Sequence, residues 1–538
     1  MSASSALNGA AAGPTVLRWG WLERLQYPLV GLLLLVFLLI GWQSREPPMQ
    51  AAGDDEFVYL ALSKSLENGS YRETYRVDQP WHVQYPPVYP AWLIPVRAVI
   101  GEQLTVISAV NLGLAALGVL LLFGGVRRLV GVPLALVWLL LLVLNRSMLT
   151  VADLSSEGLF LLLSGGTLYW MLAPPDSPPR KAWPAIVLAL LAFLTRSIGL
   201  ALVAGVGVWL WSRRDWKGLV GWAVASALVV GGWFAYSMSG WQDPSLASYA
   251  SDFTAGIPDS GGGAVQHLVE RVWQGGRNYA TTHMPHSIGL PTIPGTLVDN
   301  WIWLVLTAVV MTIGFVLLWK RWRGAAAYVL CYILFVLLWP WESARLLLPL
   351  VPFGLLAILL GARWATGFLK PGARGIVLGA VLVLLGIGAL QSGWERLALY
   401  RNCDRENPYQ SPGCYDSRRL VLLAGSEYVR THGKPSDLIF TDQPASVAFF
   451  SGRLTLPAWM AWHSGRPAAQ VMKERGVRYV ISNRSWQAQR MLPGCEALRV
   501  EASYPPEGLL LALSDSTAGP QPDACGALQR VADLNLPP

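Results

Sequence analysis

LTVISAVNLGLAALGVLLLFGGVRR, residues 104–128, is a long apolar run that stops at the paired Arg127 and Arg128. A bilayer core is about 30 Å thick and is crossed by roughly 20 helical residues, so the stretch reads as one transmembrane helix with a basic end. The signature recurs on both sides. Apolar stretches lie near 27–42, 130–145, 155–172, 183–195, 197–211, 218–237, 299–319, 325–339, 345–361 and 373–391. Together they predict a polytopic all-α membrane domain of about 11 transmembrane helices. A hydrophobic share of 53% against 14% charged residues fits that class and excludes an ordinary soluble domain.

The basic residues give the ladder a direction. Arg127 and Arg128, Arg180 and Lys181, then Arg213, Arg214 and Lys217 fall at alternate connections, followed by Lys320, Arg321 and Arg323 and by Arg363, Lys370 and Arg374. Basic loops stay on the cytoplasmic side, which places the N-terminus inside and the tail outside. Much of the net charge of +8 is therefore a topology signal rather than a nucleic-acid footprint. The first stretch, Tyr27 to about Trp42, follows Arg18 and Arg24 and precedes no small-residue cleavage site, so a retained anchor is expected. The expected organisation is a cytoplasmic tail, 1–26, and a membrane domain, 27–391, with external loops 43–103 and 238–298. An external domain, 392–538, follows.

Cysteine usage agrees. Cys331 lies in an apolar stretch, whereas Cys403, Cys414, Cys495 and Cys525 all follow the last one. An oxidising compartment allows three pairings of four cysteines. Cys403–Cys414 and Cys495–Cys525 are favoured because each closes a local loop among turn residues. The tail alternates helix and strand: helical period over Arg418–His432, then short strands at Leu438–Thr441, Arg478–Ser482 and Leu509–Leu513. A small α/β or α+β domain is expected, without a nucleotide-binding glycine motif or a nucleophile elbow.

After the first span the chain reads Asp54-Asp55-Glu56-Phe57-Val58-Tyr59, and Phe57 to Leu66 has the period of an interfacial helix ending near Asn68-Gly69. Asp54 or Asp55 would cap that helix. The chain re-enters the membrane through His82-Val83-Gln84-Tyr85-Pro86-Pro87, whose prolines restrict the backbone. Asn145, Arg146, Asp153, Glu157, Arg196, Glu342 and Arg345 sit at span ends on the same side. Charge near hydrocarbon is costly, so such groups face a cavity and one another. Both signs at the lipid boundary suit a lipid-linked anionic substrate: a carboxylate receives an acceptor proton while arginines hold a phosphate leaving group.

These residues carry a resemblance. Asp55-Glu56-Phe-Val-Tyr59 with Leu66 and Gly69, and Gln84-Tyr85-Pro86-Pro87-Val-Tyr89-Pro90, are similar to the first external loop and re-entry motif of GT-C membrane glycosyltransferases. The bacterial relatives of the protein O-mannosyltransferases and of the lipid A aminoarabinose transferase are the most similar. Ser155-Ser156-Glu157, Leu194-Thr-Arg196, Ser343-Ala-Arg345 and, in the tail, Thr441-Asp442-Gln443-Pro444 also resemble family segments, in the same order. The extra module of the protein mannosyltransferases has no counterpart, and Gln84-Tyr85 stands near the position of the aminoarabinose enzyme's lysine.

The resemblance implies inverting transfer of one sugar from a polyprenyl-monophosphate donor to an acceptor hydroxyl on the external face. The acceptor would be an envelope glycolipid or polysaccharide, with a protein acceptor as the alternative. It implies Asp55 as the base, Glu157 and Asp153 as further acids, and Arg345 and Arg196 on the donor phosphate. His82 is a further phosphate candidate, and Glu56, Tyr59, Gln84 and Tyr85 are substrate-binding candidates. No cofactor is firmly implied beyond the lipid-linked sugar donor, and metal-independent chemistry is favoured over the alternative of a divalent ion. A transporter or flippase of lipid-linked sugars is the reading from another class. Labelling of intact cells checks the sidedness: reagents confined to the outside should reach 418–538 and miss the loop at 212–217. The reverse pattern would invert the topology.

Overall fold

A computed structural model describes residues 20–49, 54–172, 181–239, 263–290, 301–340, 342–404, 413–463, 466–504, 506, 508–513 and 523–534. Arg18, Arg180, Ala51–Gly53 and, within the 238–298 loop, residues 240–262 and 291–298 lie outside the described residues. Each apolar stretch named above is helical, but the count of spans is smaller than expected. Among the described residues, six helices are long and apolar enough to cross a membrane: Glu23–Ser44, Leu104–Val130, Trp216–Met238, Leu304–Arg321, Ala344–Phe368 and Pro371–Leu399. Val132–Val143 and Arg146–Ala152, bent by 65°, make a seventh if taken as one. Trp183–Thr195, Ser197–Ser212 and Arg323–Leu338 are too short. The physical reason is visible at the breaks. Trp183–Thr195 ends at Arg196, and the helices Val132–Val143 and Arg323–Leu338 end before Asn145 and Ser343, polar residues that open the next turns.

Close backbone approach positions the helix that begins at Glu157. A Cβ on Gly165 would stand 2.6 Å from the Gly118 carbonyl oxygen, and one on Gly158 would stand 2.5 Å from that of Asn111. Small residues therefore let Glu157–Met171 lie directly on Leu104–Val130, as helices pack where lipid supplies no hydrophobic drive. The break before this helix is pinned from both sides. The Asn145 side chain accepts from the Met148 amide (3.2 Å) and donates to the Ser287 carbonyl (2.8 Å). The last helix, Pro371–Leu399, runs past the expected domain boundary at 392, because Arg396 near its end finds buried acidic partners.

The tail forms a five-stranded sheet ordered β2-β1-β3-β5-β4, with β1 Leu438–Thr441, β2 Thr455–Pro457, β3 Val477–Ser482, β4 Leu498–Tyr504 and β5 Gly508–Leu513. The first three are parallel, joined through helices, and β3-β5-β4 is antiparallel. The domain is a mixed sheet with helices. β2 and β4 carry no alternation that marked them as strands; β2 has only 3 residues. Helix Ser417–His432 packs on the sheet. Cys403 is bonded to Cys414 and Cys495 to Cys525.

This domain is docked on the helix Asp55–Glu67. Phe57 meets the rings of Phe449 and Phe450 at 4.9 and 5.2 Å. The Arg419 guanidinium donates to the Met49 carbonyl at 2.7 Å. Asp54 makes no capping bond to its own helix, contrary to expectation. Its carboxylate instead accepts from the Ala445 and Ser446 amides (3.0 and 2.7 Å) and from the Ser446 hydroxyl, in the first turn of Pro444–Ser451. Helix N-termini favour such a carboxylate, because their amides are otherwise without acceptors.

Burial nevertheless pushes the Asp54 carboxyl up to about 7, outweighing the donors that favour its anion. An acid raised in the docked state contributes docking stability that is full below its ordinary value and is lost as pH rises through about 7. Proteolytic release of the tail domain from detergent-solubilised protein should therefore be faster at pH 8 than at pH 5. Asp54→Asn, which keeps an oxygen acceptor but not the titration, should flatten that difference; parallel pH profiles for the two proteins would refute the assignment.

Candidate active site

Consecutive helical positions point about 100° apart, so three acids in a row cannot share one task. Asp54 goes to the tail domain. Glu56 turns inward, is buried, and accepts from the Met49 amide. That bond and its burial set Glu56 apart from the expected substrate contact. Asp55 alone turns to the charged cluster: Oδ1 accepts from the Tyr85 hydroxyl at 2.7 Å, and Oδ2 faces Arg345 Nη1 at 3.3 Å.

Arg345 is the hub. The Ser343 hydroxyl accepts from the Arg345 amide at 3.3 Å and opens the turn Ala344–Leu350. The guanidinium grips Glu157 with two nitrogens, Nε on Oε1 and Nη2 on Oε2 at 3.1 Å. Arg196 Nη1 meets the same Glu157 Oε1 at 2.5 Å and donates to the Ser156 hydroxyl at 3.2 Å. Tyr59 reaches that hydroxyl at 3.3 Å and packs on Tyr85, ring centroids 5.0 Å apart. Two guanidiniums thus balance two carboxylates, the condition under which charge is tolerated at such depth. Exposure separates the acids: the Glu157 side chain is 3% exposed, against 33% for Asp55 and 25% for Arg345. Glu157 is the buried counterion of two arginines, which leaves neither of its oxygens for a reacting group.

Asp153 belongs to a second cluster. Its Oδ1 accepts from the Glu46 amide at 2.9 Å and from Arg396 Nη2 at 3.2 Å, and Arg396 also pairs with the Glu46 carboxylate. Asn111, at the foot of the Leu104–Val130 helix, donates to the carbonyls of Asp153 and Ser155 at 3.2 and 3.0 Å, fixing the turn into Glu157. A cavity of about 220 Å³ is lined by residues of both clusters, Arg345 and Glu157 from one and Glu46, Asp153 and Arg396 from the other. Asp55 lies beyond the Arg345 guanidinium rather than on the cavity wall. Neither Glu46 nor Arg396 stood out in the sequence; the signal available was an ionisable residue immediately beside an apolar run at each place.

His82 takes no place beside Arg345 and Arg196. It is buried; Nδ1 meets Glu73 Oε1 at 2.8 Å, and Nε2 accepts from the Tyr85 amide at 2.8 Å. Both ring nitrogens are spent, so the expected phosphate contact is not available to it. Gln84 sits half-buried in the same turn. The Cys495, Glu496 and Cys525 side chains lie close enough together to suggest a metal site, but both sulfurs are committed to the disulfide.

No protein-family model matches this chain, and neither does any functionally curated protein. Solved structures do. ArnT from Cupriavidus metallidurans bound to undecaprenyl phosphate superposes with a TM-score of 0.51 at 15% identity, across 94% of this chain and 100% of that one. Its apo structure gives 0.52 at 14%, across 91% and 99%. The Archaeoglobus fulgidus oligosaccharyltransferase tethered with an acceptor peptide gives 0.51 at 12%, across 93% of this chain and 74% of that one. Identities so low carry an architecture and not a chemistry: the chain has the GT-C fold of the membrane glycosyltransferases.

Proposed function

We propose that the protein transfers one sugar from a polyprenyl-monophosphate donor to an acceptor hydroxyl, with inversion, on the external face of a bacterial cytoplasmic membrane. The observation that carries this reading is the Arg345 guanidinium, shared between a buried Glu157 and a partly exposed Asp55 at the edge of a polar cavity. The relative crystallised with undecaprenyl phosphate supports the donor class. The contact to Asp55 is single and long, whereas the grip on Glu157 is two-pronged. A donor phosphate can compete for the loosely held Nη1 without unseating the guanidinium. That exchange frees Asp55 Oδ2 at the moment the leaving group is bound.

The acceptor oxygen then attacks the anomeric carbon, and its proton passes to Asp55. The bond from that carbon to the phosphate oxygen breaks, and its electron pair leaves with the phosphate, held by Arg345. Arg196 acts behind it, by sharing the charge of Glu157. With Glu157 held between two arginines, the cluster offers one carboxylate for the reaction. One carboxylate suits a single displacement and hence inversion. A glycolipid or polysaccharide acceptor fits this small, charged site; a protein acceptor is the alternative outcome of a product assay.

Purified protein supplied with a panel of polyprenyl-monophosphate sugars and extracted envelope glycolipid should release polyprenyl phosphate and add one sugar, read by mass spectrometry. Asp55→Asn should lower turnover about 10²- to 10⁴-fold while keeping donor binding. Arg345→Lys keeps the charge but loses the fork, and should raise the donor KM by about 10- to 100-fold, the cost of a charge-assisted hydrogen bond. Full turnover by folded Asp55→Asn protein would remove Asp55 as the base. Lipid-sugar movement across vesicles with no glycosidic product would point to a transporter.

A further inference from the structure

We infer that His82 is a positioning residue for the base, acting through Tyr85, a role that rests on the reading of Asp55 above. With 1% exposure and both nitrogens engaged, His82 has no route to a substrate. What it holds is the backbone of Tyr85. The Tyr85 amide donates to His82 Nε2 at 2.8 Å, and its carbonyl accepts from the Tyr71 hydroxyl at 2.8 Å. A residue fixed at both backbone groups has little freedom left. Its phenol ends 2.7 Å from Asp55 Oδ1. With Oδ1 committed to the phenol, Oδ2 is the oxygen that takes the acceptor proton.

The ring of His82 is itself anchored. Acceptance at Nε2 requires the proton on Nδ1, and Glu73 Oε1 receives it at 2.8 Å. The other Glu73 oxygen holds Arg76 at 2.9 Å, and Arg76 forks onto Asp78 at 2.9 and 2.7 Å. The loop carrying them is stitched to strand β2 of the tail domain: Val77 donates to the Thr455 carbonyl at 3.1 Å, and Thr455 donates to that of Tyr75 at 3.0 Å. From the far side, Tyr236 and Ser237 donate to the carbonyls of His82 and Val83 at 3.1 and 2.7 Å. The orientation of the base is thus referred, bond by bond, to the docked tail domain. Catalytic groups owe their efficiency to such fixed placement.

A double-mutant cycle tests the role. His82→Phe and Tyr85→Phe should each lower kcat by about 10- to 100-fold with the donor KM held within about twofold. The double variant should be no slower than Tyr85→Phe alone, since His82 acts through that residue. His82→Gln can still accept from the Tyr85 amide and donate to Glu73, and should recover most of the loss. Multiplying losses in the double variant, or a KM effect in His82→Phe, would overturn the proposal. Amide hydrogen exchange supplies a readout independent of turnover: in His82→Phe the Tyr85 amide should exchange faster, while the core helices stay protected. Unchanged protection at Tyr85 also overturns it. If wild-type protein transfers no sugar, the functional reading fails by itself and the exchange experiment still decides whether His82 anchors Tyr85.

Discussion

Glu157 is a carboxylate with almost no solvent, at the start of a helix in a membrane domain, and everything at the site depends on keeping it ionised there. One guanidinium would neutralise it; two leave a surplus of positive charge that a second acid must balance. Arg196 supplies the permanent partner, buried and bonded to Ser156 as well. Arg345 supplies the other, and its spare Nη1 reaches Asp55. The asymmetry of the Arg345 contacts separates the buried counterion Glu157 from the more exposed Asp55.

That electrostatic core is also the reason the helices are broken where they are. A continuous span would carry its polar groups past the hydrocarbon or into it. Here Arg196 ends one helix, while Asn145 and Ser343 open the turns that follow two others. Non-helical backbone at membrane depth is tolerated only where protein or a cavity surrounds it. The cavity between the Arg345 and Arg396 clusters meets that condition. Close contact at Gly158 and Gly165 then holds the Glu157 helix in place from the rear.

The tail domain is part of the same construction. Asp54, Asp55 and Glu56 send three carboxylates to three destinations: the tail helix Pro444–Ser451, the charged cluster, and the Met49 amide, whose carbonyl is gripped by Arg419 of the tail domain. One turn of helix therefore ties the docking of the tail domain to the placement of Asp55. Strand β2 adds a second tie, through the loop that ends at His82.

Local features of the sequence sufficed for the membrane class, the positions of the helices, the alternation of helix and strand in the tail, and the short-range pairing of its cysteines. Hydropathy, period and loop closure act over tens of residues and can be read in one dimension. They also placed Asp55, Glu157, Arg196 and Arg345 on one side of the ladder. Tertiary structure alone decided who meets whom. The Asp55–Arg345 contact joins residues 290 positions apart and the Glu157–Arg345 contact residues 188 apart. No local pattern distinguishes a buried counterion from a reacting acid, or sends Asp54 to a helix 392 residues later. His82 looked like a candidate for phosphate or sugar because the prolines after it would hold it in a defined loop. Its true neighbours, Glu73 and the Tyr85 amide, became visible only once the loop had closed on itself and on strand β2. Span number was likewise undecidable from hydropathy, because an apolar run states how much of the chain avoids water and not where a buried polar group will break the helix.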